Sequence, residues 1–261
     1  MAVILIVTDG IRPDSIEQAN TPHFDLIMRE GAFTLYAQSL MPTVTLPCHM
    51  TIFHSVPAER HGILSNDYHP LARPLPGLYE QINKSGLHSA AYYTWDPLRD
   101  LSRPLCIDHT VFVQTNFQDL ANSDRPTVEA AARQIQARKY NFTFLHLGSG
   151  DEIGHLYGWM SDEQIQHVEI LDEFLGQVLD AMSKEDTLIV HSDHGGHGRT
   201  HGTDSPEDMT IPWMAYGNGI RVNYEIQAKV SLLNTAPTIA HILNVEAAPQ
   251  WEGTVLEEIF V

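Results

Sequence analysis

Residues 3–10 read Val3-Ile4-Leu5-Ile6-Val7-Thr8-Asp9-Gly10, an apolar run that ends in a carboxylate. A strand covered on both faces needs such a run, because neither of its faces meets water. The pattern recurs in residues 142–151, where Phe142 to Leu147 precede Asp151, and in residues 187–193, which end at Asp193. These stretches predict inner strands at 3–8, 142–147 and 187–192 of one mostly parallel sheet.

Short β-type segments and longer amphipathic segments alternate along the rest of the chain. Further strands are predicted at 89–94, 110–113 and 212–216, and helices at 21–30, 76–84, 126–138, 162–182 and 232–243. This alternation predicts an α/β fold with a doubly wound, mostly parallel central sheet and helices on both faces. We find no repeat, low-complexity tract or flexible linker, so residues 1–261 are predicted to form a single catalytic domain.

Composition narrows the range of partners. The 33 acidic and 15 basic residues give a formal net charge of −18, which repels nucleic-acid backbones, so no nucleic-acid polymer is expected as a partner. The apolar N-terminal run is too short to span a bilayer and follows no basic region. The sequence therefore predicts no membrane segment, no signal peptide and a cytoplasmic location. Cys48 and Cys106 are expected to be reduced.

The polar residues that follow the apolar runs have the composition of a metal site. Ligands of doubly wound sheets lie beyond the carboxyl ends of the strands, so Asp9, Asp151 and Asp193 are expected at one sheet edge. A spacing of four places His155 on the same helical face as Asp151. His194 adjoins Asp193, and carboxylate with imidazole is a common ligand set. Each residue alone could be a turn or helix cap, so the prediction rests on the set.

Two further site residues each have a second candidate close by in the sequence. His201 is a candidate ligand, and His197 stands four residues before it. Pro47 suits the first turn of a helix, which places the hydroxyl of Thr45 at a helix N-terminus, where phosphate binds. Thr43 offers a competing hydroxyl, and spacing alone does not choose between the two.

Taken in order, these segments resemble the type I phosphodiesterase/nucleotide pyrophosphatase branch of the alkaline phosphatase superfamily. The matching motifs are Asp9-Gly10-x-Arg12-x-Asp14, Thr45-x-Pro47-x-His49, His61-Gly62-Ile63 with Asn66, Asp151-x-x-Gly154-His155, Asp193-His194-Gly195, His201-Gly202 and Thr235-Ala236-Pro237-Thr238-Ile239. From Asp9 to His201 they follow the family's order, the segment from Thr235 to Ile239 is also similar to the family, and the resemblance covers nearly the whole chain.

The resemblance implies two divalent metal ions, usually zinc in this family, with Mn²⁺ or Mg²⁺ as alternatives. One metal would be held by Asp151, His155 and His201, and the other by Asp9, Asp193 and His194, with Thr45 touching it.

The implied reaction is hydrolysis of a small phosphoester, with phosphodiesters favoured. Thr45 would attack phosphorus in line and form a phospho-threonine that is then hydrolysed. Asn66 and the backbone N–H of Leu46 would contact the phosphoryl oxygens.

The chain also departs from the family pattern. Cys48 stands where diesterases often carry Asn, and Trp159 where Pro often follows the metal motif, but neither change removes a ligand. The segment around 67–113 is expected to form only a short cap-like insertion, which makes nucleotide selectivity doubtful. Candidates for an aromatic wall around the leaving group are Tyr68, Tyr93, Trp95 and Trp159.

Other activities fit the same residues. A phosphomonoesterase or a phosphonoacetate-type C–P hydrolase would use the same site. A sulfatase would need Cys or Ser at the place of Thr45 and Arg at that of His49, and metal-dependent mutases usually carry a larger inserted domain. A non-catalytic metal-binding member would lack a ligand or the nucleophile, and the sequence contains them all. The oligomeric state is left open.

Overall fold

The computed structural model describes residues 1–71 and 75–261. Within these residues one sheet contains eight strands: β1 (Val3–Thr8), β2 (Ala32–Gln38), β3 (Ser89–Tyr93), β4 (His109–Phe112), β5 (Phe142–Leu147), β6 (Thr187–Ser192), β7 (Thr210–Gly217) and β8 (Tyr224–Glu225).

The spatial order of the strands is β4-β3-β5-β1-β6-β7-β2-β8. The five strands from β4 to β6 run parallel to one another, β7 is antiparallel to both of its neighbours, and β8 is parallel to β2. The sheet is therefore mostly parallel, and the predicted fold class is confirmed.

Helices connect and cover the strands: α1 (Pro13–Gln18), α2 (Pro22–Glu30), α3 (Thr45–His54), α4 (Ala58–His61), α5 (Leu78–Lys84), α6 (Arg125–Gln136), α7 (Ser149–Tyr157), α8 (Asp162–Ala181), α9 (Pro206–Met209) and α10 (Thr235–Ile242). Short 3₁₀ turns occur at Asp96–Leu101, Leu120–Asn122, Leu232–Asn234 and Glu257–Ile259. None of the described helices is long and apolar enough to cross a membrane.

Two apolar cores lie on the two faces of the sheet. Along β1, Val3, Leu5 and Val7 belong to one core, and Ile4 and Ile6 belong to the other. Successive strand side chains point to opposite faces, so a strand between two cores has no polar face. This explains why the inner strands are apolar at nearly every position.

The structure matches the predicted inner strands and departs from the prediction near one sheet edge. β1, β5 and β6 have the predicted bounds, whereas β2 and β8 were not predicted. β2 reads Ala-Phe-Thr-Leu-Tyr-Ala-Gln, is only partly buried and changes register between Thr34 and Ala37, so it lacks the apolar run of an inner strand. The segment 232–243 begins as a 3₁₀ turn before it becomes α10.

The prediction of one domain with a short cap-like insertion stays a prediction. Within the segment 67–113, the described residues include α5, β3 and β4, and the two strands belong to the main sheet. Both cysteines are free, with Cys48 buried and Cys106 half-buried.

Candidate active site

The carboxyl ends of three strands bring predicted ligands together. β1 pairs residue for residue with β5 and with β6, so the three strands end at the same level of the sheet. Asp9 follows β1 and Asp193 follows β6, with exposed fractions of 4% and 0%. The N–H of Gly10 donates to Asp193 Oδ1 at 3.3 Å. The sheet thus places both carboxylates in one buried region.

α7 delivers the third carboxylate from the end of β5. Asp151 and His155 lie one turn apart on this helix, and His155 Nε2 is 3.3 Å from Asp151 Oδ2. Gly10 has a φ of +69°, and a Cβ at this position would lie 3.1 Å from the Asp151 Cα. Glycine therefore suits both the left-handed backbone and the close approach of α7 to β1.

The N-terminus of α7 is held by a buried carboxylate from the start of α6. Asp124 accepts hydrogen bonds from the Gly148 N–H, the Ser149 N–H and the Ser149 hydroxyl, at 3.3, 3.1 and 2.5 Å. The Ser149 hydroxyl also lies 2.6 Å from His167 Nε2. These bonds satisfy N–H groups that a helix leaves unpaired at its first turn.

The predicted ligands form two overlapping groups among the described residues. Asp151, His155 and His201 offer ligand atoms within 4.8 Å of one another, and Asp9, Asp151 and His194 meet the same criterion. Asp151 thus lies between the two groups.

Asp193 adjoins the second of these groups. Its Oδ2 is 3.5 Å from His194 Nε2, and Asp9 Oδ1 is 3.3 Å from the same nitrogen. The structure therefore brings all six predicted acidic and histidine ligands into one cluster.

The histidines of the cluster present the same ring nitrogen to it. The Nδ1 atoms of His155, His194 and His201 lie 3.0, 2.8 and 2.7 Å from the carbonyl oxygens of Arg199, Gly195 and Thr43. Donation from Nδ1–H to these oxygens turns the three Nε2 atoms toward the cluster. The hydrogen bond of His155 with Asp151 raises the pKa of His155 to about 9, so a metal bound there would displace the Nε2 proton. Metal-binding histidines use this arrangement, in which a backbone carbonyl fixes the ring and its tautomer.

Three carboxylate oxygens of the cluster lack a donor. Asp9 Oδ1, Asp151 Oδ1 and Asp193 Oδ2 are buried, and no hydrogen-bond partner for them exists among residues 1–71 and 75–261. Buried charged oxygens without partners are costly, and cations commonly supply the missing interaction. The donor set of carboxylate and imidazole therefore fits divalent metals.

Crowding of the carboxylates shifts their protonation. Burial, with the nearby charges of Asp193 and Asp151, raises the pKa of Asp9 well above its usual range. Burial and the charge of Asp151 raise the pKa of Asp193 to about 7. Burial opposes ionisation of Asp151, but the hydrogen bond with His155 and the nearby histidines outweigh it and lower its pKa. Burial lowers the pKa of His194. Ionisation of Asp9 and Asp193 is thus disfavoured unless a cation offsets the charge of the three carboxylates.

The structure distinguishes the two candidate hydroxyls. Thr45 is the first residue of α3, one position after the Val44 N-cap, and its Oγ1 lies 3.4 Å from His194 Nε2. Thr43 Oγ1 donates instead to the Thr203 carbonyl at 2.8 Å. Thr45 lines the cavity at the cluster, and its hydroxyl is the one positioned beside the ligands.

Asn66 lies beside Thr45, but its contacts differ from the expectation. The Leu46 N–H, predicted to contact phosphoryl oxygens, donates to Asn66 Oδ1 at 3.0 Å. Asn66 lines the same cavity as Thr45. The carbonyl end of the Asn66 amide is thus anchored to α3, and its NH₂ group remains as the donor on this side.

His197, the alternative candidate to His201 as a ligand, lies outside the cluster. Its Nδ1 is 2.7 Å from Asp208 Oδ1, whereas His201 Nε2 is 3.2 Å from His155 Nε2. Since His197 has a different carboxylate partner, the geometry favours His201 as the ligand.

Two buried histidines beside the cluster were not predicted to be site residues. His146 Nε2 is 3.0 Å from Asp9 Oδ2, and His49 Nδ1 is 2.8 Å from the Thr45 carbonyl and 3.5 Å from Asp193 Oδ2. Burial lowers the pKa of His146 to about 3, so it is neutral at neutral pH. Their sequence signals were a polar residue inside an apolar strand and the spacing from Thr45.

The four aromatic residues predicted to surround the leaving group do not lie together in the structure. Trp159 lies beneath the cluster: its Nε1–H donates to the Gly10 carbonyl at 2.7 Å, and its indole occupies the space beside Gly154 and Gly196. Tyr68 and Tyr93 line a cavity that contains none of the predicted ligands. Trp95 alone of the four lines the cavity at the cluster.

Comparisons with known proteins agree with the sequence motifs. The sequence model of the type I phosphodiesterase / nucleotide pyrophosphatase family matches residues 3–203. A venom phosphodiesterase of Naja atra is 23% identical over 74% of this chain and 26% of its own length. Human ectonucleotide pyrophosphatase/phosphodiesterase family member 7 is 22% identical over 74% of this chain and 47% of its own length. The chain therefore spans about a quarter to a half of these curated relatives.

A solved structure confirms the fold. Human ectonucleotide pyrophosphatase/phosphodiesterase 5 superposes with a TM-score of 0.84 over 100% of both chains, at 18% sequence identity. At this identity the likeness establishes the architecture, and the sequence match establishes the family.

Proposed function

Because the chain belongs to the type I phosphodiesterase / nucleotide pyrophosphatase family, we propose that it hydrolyses phosphoesters, with phosphodiesters preferred. The observation that carries this proposal is the position of Thr45. Thr45 is the first residue of a ten-residue helix, and its Oγ1 lies 3.4 Å from His194 Nε2. Beside it are the carboxylates whose buried oxygens lack hydrogen-bond donors among the described residues. A hydroxyl at a helix N-terminus next to a cation site suits attack on an anionic phosphorus centre.

The donor set supports two divalent metal ions, which we propose to be zinc. Asp151, His155 and His201 would hold one, and Asp9, Asp193 and His194 would hold the other, beside the Thr45 hydroxyl. Bound there, the ions would lower the pKa of that hydroxyl and offset charge on the phosphoryl oxygens.

The residues of the chain account for the remaining steps. Thr45 Oγ1 gives its proton to solvent and forms a bond to phosphorus while the bond to the leaving oxygen breaks on the opposite side, and the leaving oxygen takes a proton from solvent to depart as the alcohol. The phospho-threonine is then cleaved by water, which returns the Thr45 hydroxyl and releases the phosphorylated product. The free NH₂ of Asn66 orients the phosphoryl oxygens during both steps.

We further propose that residues 1–261 act as one catalytic domain on a small phosphoester. A phosphomonoesterase is the second candidate, because the cavity at the cluster has a volume of about 190 Å³, below the roughly 300–1,000 Å³ that is usual for an organic ligand. A C–P hydrolase would use the same ligands.

The test is the ratio of kcat/KM for bis-p-nitrophenyl phosphate to that for p-nitrophenyl phosphate, on protein loaded with zinc or manganese. A ratio above one supports the diesterase, and a ratio below one supports the monoesterase. Activity on neither would require phosphonate substrates to be tested and, if these also fail, would indicate a non-catalytic protein.

The nucleophile is tested with Thr45→Ala, with Thr43→Ala as the matched control. We expect Thr45→Ala to lower kcat by about 10³-fold or more while metal content is retained. Thr43→Ala should keep most of the activity, because its hydroxyl contacts only the Thr203 carbonyl. Equal losses in the two variants would rule out Thr45 as the nucleophile.

A further inference from the structure

The motif His61-Gly62-Ile63 contains a buried histidine that lies outside the cluster of candidate ligands. His61 is the last residue of α4, is 3% exposed and does not line the cavity at the cluster. Burying a polar ring costs free energy unless hydrogen bonds satisfy its nitrogens. The partners of those nitrogens therefore indicate what the ring does in the fold.

Both ring nitrogens of His61 have a partner, and the partners fix the tautomer. The Ile63 N–H donates to Nδ1 at 3.1 Å, and Nε2 lies 3.2 Å from Thr51 Oγ1. Because a backbone N–H can only donate, Nδ1 carries a lone pair, and the neutral ring has its proton on Nε2, which donates to the Thr51 hydroxyl. Burial lowers the pKa of His61 to about 4, so the ring is neutral at neutral pH.

These two hydrogen bonds join the turn after α4 to α3. Gly62 has a φ of +79° and turns the chain directly after the helix, and Ile63 then enters the apolar core. Thr51 is a buried residue in the second half of α3. The ring of His61 thus holds the start of the segment 61–66 against this helix.

The end of the segment 61–66 contacts α3 as well. Asn66 Oδ1 accepts from the Leu46 N–H at 3.0 Å, five residues before Thr51 and so roughly 7.5 Å away along the helix axis. Residues 64–66 between the two contacts are exposed, and exposed loops are held less firmly than packed ones. The direction of the Asn66 NH₂ group therefore depends on the contacts at both ends of the segment.

We propose that His61 is a positioning residue for Asn66: its ring holds the segment 61–66 on α3, so that the Asn66 NH₂ group points to the phosphoryl oxygens. The inference rests on the proposed phosphoesterase function. His61 acts through Asn66 alone, so loss of its ring should lower turnover without changing the metal content.

The test is a double-mutant cycle between His61→Leu and Asn66→Ala. The activity measured is kcat/KM for bis-p-nitrophenyl phosphate or p-nitrophenyl phosphate, whichever the wild type cleaves faster. We expect His61→Leu to lower kcat/KM about tenfold in the wild-type background, through the loss of two hydrogen bonds. In the Asn66→Ala background it should lower kcat/KM by less than about twofold, because no amide remains to be positioned. Equal losses in both backgrounds would indicate a general structural role and overturn the proposal.

The variant His61→Asn tests the two hydrogen bonds separately. An Asn side chain accepts from the N–H two residues later in an Asx-turn, so this variant keeps the bond with Ile63 and loses the one with Thr51. We expect a loss in kcat/KM of about threefold, and about the same for Thr51→Val, which removes only the hydroxyl. If His61→Asn were as impaired as His61→Leu, or Thr51→Val as active as the wild type, the proposed contacts would be wrong. Should His61→Leu not fold, Thr51→Val takes its place in the cycle.

His54→Leu is the matched control, because His54 is a buried histidine of α3 whose Nδ1 lies 3.1 Å from the Met50 carbonyl. It should lower Tm but keep kcat/KM within about twofold of the wild type. Tm and metal content are measured for every variant. Turnover that depends on Thr45 but not on His61 overturns this inference alone. Absence of turnover by the wild type on any phosphoester would remove the proposed function and this inference with it.

Discussion

The two groups of candidate metal ligands differ in how the fold holds them. The inner group consists of Asp9, Asp193 and His194, which follow the inner strands and are at most 4% exposed. The outer group consists of Asp151, His155 and His201, which lie on α7 and on the loop after β6. Its His155 side chain is 40% exposed and its Asp151 side chain 13% exposed.

This difference indicates a division of stability between the two groups. The inner ligands follow strands that are paired on both sides and buried in two cores, so their positions are tied to global folding. The outer ligands depend on a nine-residue helix held at its start by Asp124. We therefore expect the inner metal to be retained and the outer metal to exchange more readily.

The largest effect is expected from the inner group. Asp193→Ala removes a buried ligand next to Asp9 and His194, so we expect loss of the inner metal and a fall in kcat of at least about 10³-fold. Metal content measured by elemental analysis and steady-state kinetics check this. Asp25→Ala, at an exposed position of α2, is the control and should match the wild type. Retention of two metals by the Asp193 variant would contradict the inner ligand set.

Removing a ligand of the outer group should release the outer metal without releasing the inner one. We expect His155→Ala to lose one metal and keep the other, with kcat lowered about 10²-fold or more, because the inner ligands do not contact this side chain. His197→Ala is the control, since His197 contacts Asp208 outside the cluster. If the His155 variant lost both metals in elemental analysis, the two groups would be one cooperative site.

Asp124 should affect the metal affinity of the outer group indirectly, because it anchors the N-terminus of α7. In Asp124→Asn, an NH₂ group replaces an oxygen that accepts from Ser149, so α7 is anchored less well. We expect the affinity of the outer metal to fall about tenfold while the inner metal is unaffected. Competition with a chromogenic chelator measures both affinities.

A second helix cap provides the control for this prediction. Ser161 caps α8 by accepting a hydrogen bond from Gln164 N, and α8 carries no predicted ligand. Ser161→Ala should lower the stability of the protein without changing either metal affinity. If both cap variants weakened the outer metal equally, general loss of stability would explain the effect.

The smallest effect concerns pH. Burial lowers the pKa of His167 to about 4, so this residue is neutral in the fold and gains a proton on unfolding between about pH 6.5 and 4. Its contribution to stability is complete above about pH 6.5 and is lost as the pH falls through this window. Thermal melts at pH 7 and pH 4.5 should show a smaller loss of Tm for His167→Gln than for the wild type. An unchanged or larger loss would contradict a buried neutral His167.

Local patterns in the sequence predicted most of the sheet and the residues of the cluster. β1, β5 and β6 were predicted with their bounds because a strand between two cores must be apolar on both faces. Their common parallel direction then placed Asp9 and Asp193 at one edge of the sheet. The family resemblance of the motifs from Asp9 to His201 was confirmed by the match over residues 3–203.

Contacts between distant segments were decided only by the tertiary structure. Spacing could not choose between Thr43 and Thr45, because the choice depends on whether the hydroxyl faces Thr203 or His194. Nor could it place His146 against Asp9, separated by 137 positions in the chain, or assign Trp159 to the space beside two glycines rather than to a substrate wall.

The sequence by itself thus determined the fold class, the strand ends and the chemical types of the ligands, since hydrophobic periodicity and local spacing are properties of neighbouring residues. The tertiary structure decided which hydroxyl meets the ligands, where the Leu46 N–H donates and which of the four aromatic candidates lines the cavity at the cluster. These outcomes depend on packing between segments far apart in the chain, where a few ångströms decide whether two groups interact.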